Sequence, residues 1–88
     1  MESKTQVTEI TNKKPSLKHL QALVGGYIEI AYDDGYTQII CNEEGLLLGL
    51  PYNVGATEYW RGCVYGNIKQ YSRLYGDVVI LKEKGRLD

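Results

Sequence analysis

The residues best suited to chemistry lie between positions 53 and 73. Arg61, Lys69 and Arg73 are interspersed there with Tyr59, Trp60, Tyr65 and Tyr71. Aromatic faces stack on nucleobases, and guanidinium forks match phosphate oxygens. The stretch is therefore expected to bind a nucleotide-type small molecule. Arg61, Arg73, Trp60 and Tyr65 are its leading candidates, followed by Lys69 and Tyr71, with Asn53 and Thr57 joining them from just upstream. The competing reading is that the cations are solvated and the rings cover a small core.

Catalysis finds less support. Acyl transfer needs a nucleophile beside a base, and the single histidine, His19, sits on the flank of a short helix. The acidic pairs Asp33-Asp34 and Glu43-Glu44 have the chemistry for a divalent cation or for acid–base work. Each precedes a glycine, however, and Asp-Gly and Glu-Glu-Gly suit turns without any ligand. Gly25-Gly26 follows a helix instead of preceding one, and neither common phosphate-loop pattern occurs. Two cysteines and one histidine fall short of a four-ligand zinc site. Cys41 is expected to pack as a small apolar residue on a strand face, a disulfide to Cys63 being the lesser reading. A non-enzymatic protein with no cofactor and no metal is expected.

The elements that must position these side chains can be read from turn signals and periodicity. Pro15-Ser16 opens a helix whose apolar stripe is Leu17, Leu20 and Val24, with Leu23 beside it, and Gly25-Gly26 ends it. Residues 27–32 and 36–41 alternate as strands about Asp34-Gly35, a type I′ hairpin signal. That turn pairs Tyr32 with Thr37, Ile30 with Ile39 and Ile28 with Cys41. It gathers Ile28, Ile30, Ile39 and Cys41 on one face, with Glu29 and Gln38 on the other. Residues 42–45 form a second turn, residues 46–48 a third strand, and Asn53 caps a short helical turn reaching about Trp60. Residues 62–73 read as a long loop with a short strand at 63–65. Residues 77–82, apolar on both faces, read as a central strand. The expected fold is α+β: a small twisted antiparallel sheet, a meander of three to four strands, with a short N-terminal helix. Residues 1–14 read as a disordered tail, 15–82 as the domain and 83–88 as a polar C-terminal tail.

Composition narrows the partners. A net charge of −1 argues against nucleic acid or an anionic membrane, both of which need a sustained basic surface. No apolar run is long enough to span a bilayer, and no apolar signal-peptide region opens the chain, so a cytoplasmic protein is expected. Eight tyrosines and no phenylalanine place many rings at core edges, at an interface or in a wet cleft. A core this small gains from self-association, so a homo-oligomer is expected, with a ligand pocket between subunits. The alternative is an interaction module that docks on another protein through a sheet edge or a Tyr/Trp patch.

Several phrases recur in a familiar order: Val24-Gly25-Gly26-Tyr27-Ile28-Glu29, Asn42-Glu43-Glu44-Gly45, Gly49-Leu50-Pro51-Tyr52-Asn53, Ala56-Thr57 and Gly76-Asp77-Val78-Val79. With them the chain resembles the domain-of-unknown-function family numbered 3846 from about Pro15 to Leu81. The resemblance implies a setting among phages, mobile elements and large DNA viruses, and it supplies no catalytic residues. A sponge that sequesters a host nucleotide signal fits such a setting. The tyrosine-rich stretch between Arg61 and Tyr75 departs from the family pattern.

Overall fold

Ser16 begins the first helix as its side chain dictates, its Oγ accepting from the His19 N–H at 3.1 Å. Gly25 ends that helix at φ 80°, where its N–H reaches the Gln21 carbonyl. Between them Leu20 and Val24 are buried while Leu17, at the first position, stays exposed. The computed structural model describes residues 5–64 and 73–87, the side chains of Cys63 and Val64 excepted. Its elements are β1 (Val7–Ile10), α1 (Leu17–Val24), β2 (Ile28–Asp33), β3 (Thr37–Asn42), α2 (Val54–Val64), β4 (Val78–Lys82) and a 3₁₀ turn at Glu83–Gly85.

The fold is α+β. A four-stranded mixed sheet runs in the order β1-β4-β3-β2. Strands β2, β3 and β4 form the antiparallel meander, and β1 joins parallel to β4 with Val7 opposite Val78. Strand β4 is central and covered on both faces, as four consecutive apolar residues require. Successive side chains alternate in direction, so the sheet has two cores. Ile40, Val79 and Leu81 meet Leu20 and Val24 of α1 on one face. Ile39, Cys41 and Val78 meet Ala56 of α2 and Leu74 on the other. Full burial of a Leu or Val side chain stabilises by about 1.5–3 kcal/mol, and α1 is held by such contacts.

Several sequence expectations need correction. Residues 7–10, placed in a disordered tail, form β1, because β4 offers them a free edge whose partner lies too far along the chain to be read locally. The hairpin has a different register: Ile28 pairs with Asn42, Ile30 with Ile40 and Tyr32 with Ile39. The loop's central residues are Gly35 and Tyr36, with positive φ (90°) at Gly35 alone, which excludes a type I′ turn. Asp34 fixes this turn by accepting from the Thr37 and Tyr36 N–H groups at 2.7 and 2.8 Å. Those bonds hold its carboxyl below the usual range. A bulge at Ala31 then sends Ala31 and Tyr32 together toward the α2 face. The isoleucines therefore do not gather on one side: Ile28 and Ile40 serve the α1 face, Ile39 serves the α2 face, and Ile30 stays exposed.

Residues 46–48, expected as a strand, lie in a turn, since both edges of β3 are already taken by β2 and β4. Residues 83–87, expected as part of a polar tail outside the domain, are docked. The Gln38 side chain donates to the Leu87 carbonyl at 2.7 Å and accepts from its N–H at 2.6 Å. Arg86 meets Asp33 at 3.0 Å. The final helical segment is longer than expected, reaching Val64. The rest of the expected 62–73 loop, and of its 63–65 strand, lies outside the described residues up to Arg73.

Candidate functional site

Two backbone hydrogen bonds build the site. The Asn53 N–H donates to the Leu74 carbonyl at 2.8 Å, and the Gly76 N–H donates to the Pro51 carbonyl at 2.7 Å. They bracket an antiparallel bridge between Tyr52 and Tyr75. Bonds on either side of a residue pair mark the narrow, non-hydrogen-bonded position, where facing side chains come closest. The two rings accordingly sit 5.8 Å apart, tilted by 57°, a geometry that their quadrupoles favour.

Beside this pair lie Arg61, in the last turn of α2, and Arg73, which precedes Leu74. The four side chains line an open cleft of about 480 Å³. Arg73 and Tyr75 also border a second recess of about 330 Å³, shared with Cys41, Glu43, Leu46 and Leu74. The first cleft is lined by aromatic faces, phenolic hydroxyls and guanidinium donors. No carboxylate, imidazole or thiol lies among its four lining side chains. Such a surface holds a planar, anionic molecule by stacking and by forked charge-assisted hydrogen bonds.

Of the eight residues expected to bind ligand, Arg61 and Arg73 are brought together here. Trp60 is not: its ring packs 6.4 Å from Tyr32 over the α2-face core. Asn53 and Thr57 do not line the cleft: both are buried and turned inward. The Asn53 amide donates to the carbonyls of Gly76 (2.8 Å) and Gln6 (3.2 Å), and its oxygen caps α2 by accepting from the Ala56 N–H. Thr57 Oγ1 accepts from the Leu74 N–H at 3.0 Å. They brace the cleft from behind, since the segment they hold, residues 74–76, carries Tyr75. Tyr65, Lys69 and Tyr71 lie outside the described residues. Tyr52 and Tyr75 were missed as site residues. The available signal was two Tyr-containing phrases, Pro51-Tyr52-Asn53 and Tyr75-Gly76-Asp77, each ending in a turn-forming residue.

Among the described residues two further reactive groups have partners within the fold. Cys41 is a free, buried thiol, pushed up to about 11 by burial and by the nearby Glu29 carboxylate. Lys82 sits 5.2 Å over the Tyr59 ring and 2.9 Å from Glu9, and these two partners raise its pKa. Among the described residues no cluster of His, Cys, Asp and Glu could hold a metal ion. No described helix is long and apolar enough to cross a membrane.

No curated protein and no solved structure matches the chain. A family model does, that of a domain of unknown function, DUF3846, over residues 1–87. The match takes in both cores, both arginines of the cleft and the Tyr52–Tyr75 bridge, and by it the chain belongs to the DUF3846 family.

Proposed function

We propose that this chain is a small non-enzymatic binding protein that holds a nucleotide-type ligand in the Tyr52–Arg61–Arg73–Tyr75 cleft. The observation that carries the reading is the placement of two guanidinium groups beside a tilted tyrosine pair around one open cleft of about 480 Å³. A base stacks on a ring while phosphate oxygens meet the forks. The net charge of −1 favours a small anion met locally over a long polyanion, which needs an extended basic surface. Among the described residues the cleft is lined by no carboxylate, imidazole or thiol, which favours holding the ligand over turning it over. Such binding would sequester a nucleotide-type signal.

The test is calorimetry and thermal shift with cyclic dinucleotides, cyclic trinucleotides and ADP-ribose derivatives. At least one is expected to release heat and raise the melting temperature. Replacing the exposed Arg73 in Arg73→Ala should weaken that ligand by about tenfold, the scale of one charge-assisted pair. No heat and no shift across the panel would overturn the reading.

A further inference from the structure

The recess beside the cleft differs from it in chemistry. It measures about 330 Å³ and is lined in part by Glu29, Glu43, Leu46, Leu74, Arg73 and Tyr75. Glu29 stands opposite Cys41 in the β2–β3 ladder, so its side chain leaves the sheet on the face that carries α2. The buried Cys41 thiol meets its Oε1 at 4.0 Å. Glu43 follows β3, its N–H bonded to the Tyr27 carbonyl at 2.8 Å. Both acids are exposed, and neither pairs with a described cation. Asn42, also at the recess, is committed inward: its amide donates to the Val24 carbonyl and accepts from the Glu44 N–H. Away from Arg73 and Tyr75, the side chains of the recess thus offer chiefly acceptors.

Arg73 and Tyr75 line both spaces, so the cleft with its guanidinium donors and the recess with its carboxylate acceptors adjoin. A ligand that fills both must carry acceptors at one end and donors at the other. A nucleotide supplies the first with its phosphates. Among the common bases guanine alone supplies the second, because its N1–H and 2-amino group are adjacent donors that match both oxygens of one carboxylate. Adenine and cytosine set a ring-nitrogen acceptor beside their amino group, and uracil flanks its N3–H with two carbonyls. Each of these turns a lone pair toward the carboxylate. The reverse orientation is disfavoured as well, since it sets phosphate against Glu29 and Glu43.

We infer that the recess selects a guanine base, Glu29 and Glu43 accepting from its N1–H and 2-amino group while the phosphates meet Arg73 and Arg61. This rests on the nucleotide reading of the cleft and names the base that the site takes. Each space is of the size that small ligands occupy, and Leu46 and Leu74 give the base apolar contact beside the acids. Because both carboxylates are exposed, water competes with the base for them, and the selectivity is that of one solvated contact.

Calorimetry of the full chain with guanosine, inosine and adenosine 5′-diphosphates reads the selectivity, in EDTA so that no divalent cation bridges the carboxylates to phosphate. Guanosine diphosphate should bind about tenfold more tightly than adenosine diphosphate, the scale of one bidentate base contact. Inosine diphosphate, which lacks the 2-amino group, should fall between them. Combining Glu29→Gln with Glu43→Gln should bring the guanosine and adenosine affinities within about twofold of each other, with circular dichroism and melting temperature unchanged. Arg73→Ala should instead weaken all three alike. Equal guanosine and adenosine affinities in the wild type, or an undiminished ratio in the double variant, would overturn the guanine assignment and leave the cleft reading in place. Binding of another nucleotide but none of these three would do the same. No binding of any nucleotide would overturn both.

Discussion

Asn53→Ala should destabilise the fold by about 3 kcal/mol while sparing the surface of the cleft. The Asn53 side chain is 1% exposed and makes three hydrogen bonds. Losing the bond to the Ala56 N–H removes the N-cap of α2, worth about 1 kcal/mol. The Gly76 carbonyl, left without its 2.8 Å donor, costs about 1 kcal/mol more. The Gln6 carbonyl contributes a similar or smaller amount, since Gln6 is exposed and water can replace the longer 3.2 Å bond. For a domain of this size each kcal/mol lowers the melting temperature by roughly 4–8 °C, so a fall of about 12–24 °C is expected. Asn53→Ser, which keeps a capping oxygen, should recover about 1 kcal/mol. Urea denaturation at fixed temperature measures both variants. An Asn53→Ala protein within about 0.5 kcal/mol of wild type would refute the argument that the three bonds hold β1, α2 and the lead into β4 together. Where Asn53→Ala remains folded, ligand affinity should be unchanged, which separates bracing from direct contact.

Two glycines should respond in opposite senses. Gly85→Ala places a methyl against the Ile10 backbone carbonyl, which cannot move without disturbing β1, and should cost about 2 kcal/mol or more in denaturant titration. Gly62→Ala lies within α2 with open space at the Cβ position and should stabilise by about 0.5–1 kcal/mol through helix propensity; a loss there would refute the helical assignment. The Cys41 thiol should titrate near 11 when the protein is folded and near 9 when unfolded, followed by thiolate absorbance in a Cys63→Ser background. The folded state then binds more protons between those values, so the stability linked to Cys41 is complete below pH 9 and falls as pH rises toward 11. Equal midpoints in the folded and denatured protein would contradict the burial of this thiol.

Local chemistry was legible where it acts over a few residues. Ser16 and Gly25 bound α1, Asn53 caps α2, and residues 78–81 are apolar on both sides because the strand is central. The hairpin was legible as a hairpin, but its register was not. Alternation in residues 27–32 presumes one residue per step, whereas the bulge at Ala31 adds a residue without changing the composition. Strand β1 was hidden because Val7 to Ile10 acquires its meaning from Val78 to Leu81, and no short window of sequence contains both. At the site the arginines were legible from their chemistry. The tyrosines that face them were not, since the bridge pairing Tyr52 with Tyr75 is a tertiary event. Asn53 and Thr57 have the hydrogen-bonding side chains that a site needs, but they direct them inward to backbone.

The parallel seat of β1 against β4 also orders events in time. The earliest strand to leave the ribosome must wait for the latest before it has anything to pair with. Among the described strands, β2 and β3 are the pair that the nascent chain can join by a short turn before then. Closing so large a loop is slow relative to forming a hairpin. Assembly should therefore start from the hairpin, gain β4, and finish when β1 closes the far edge.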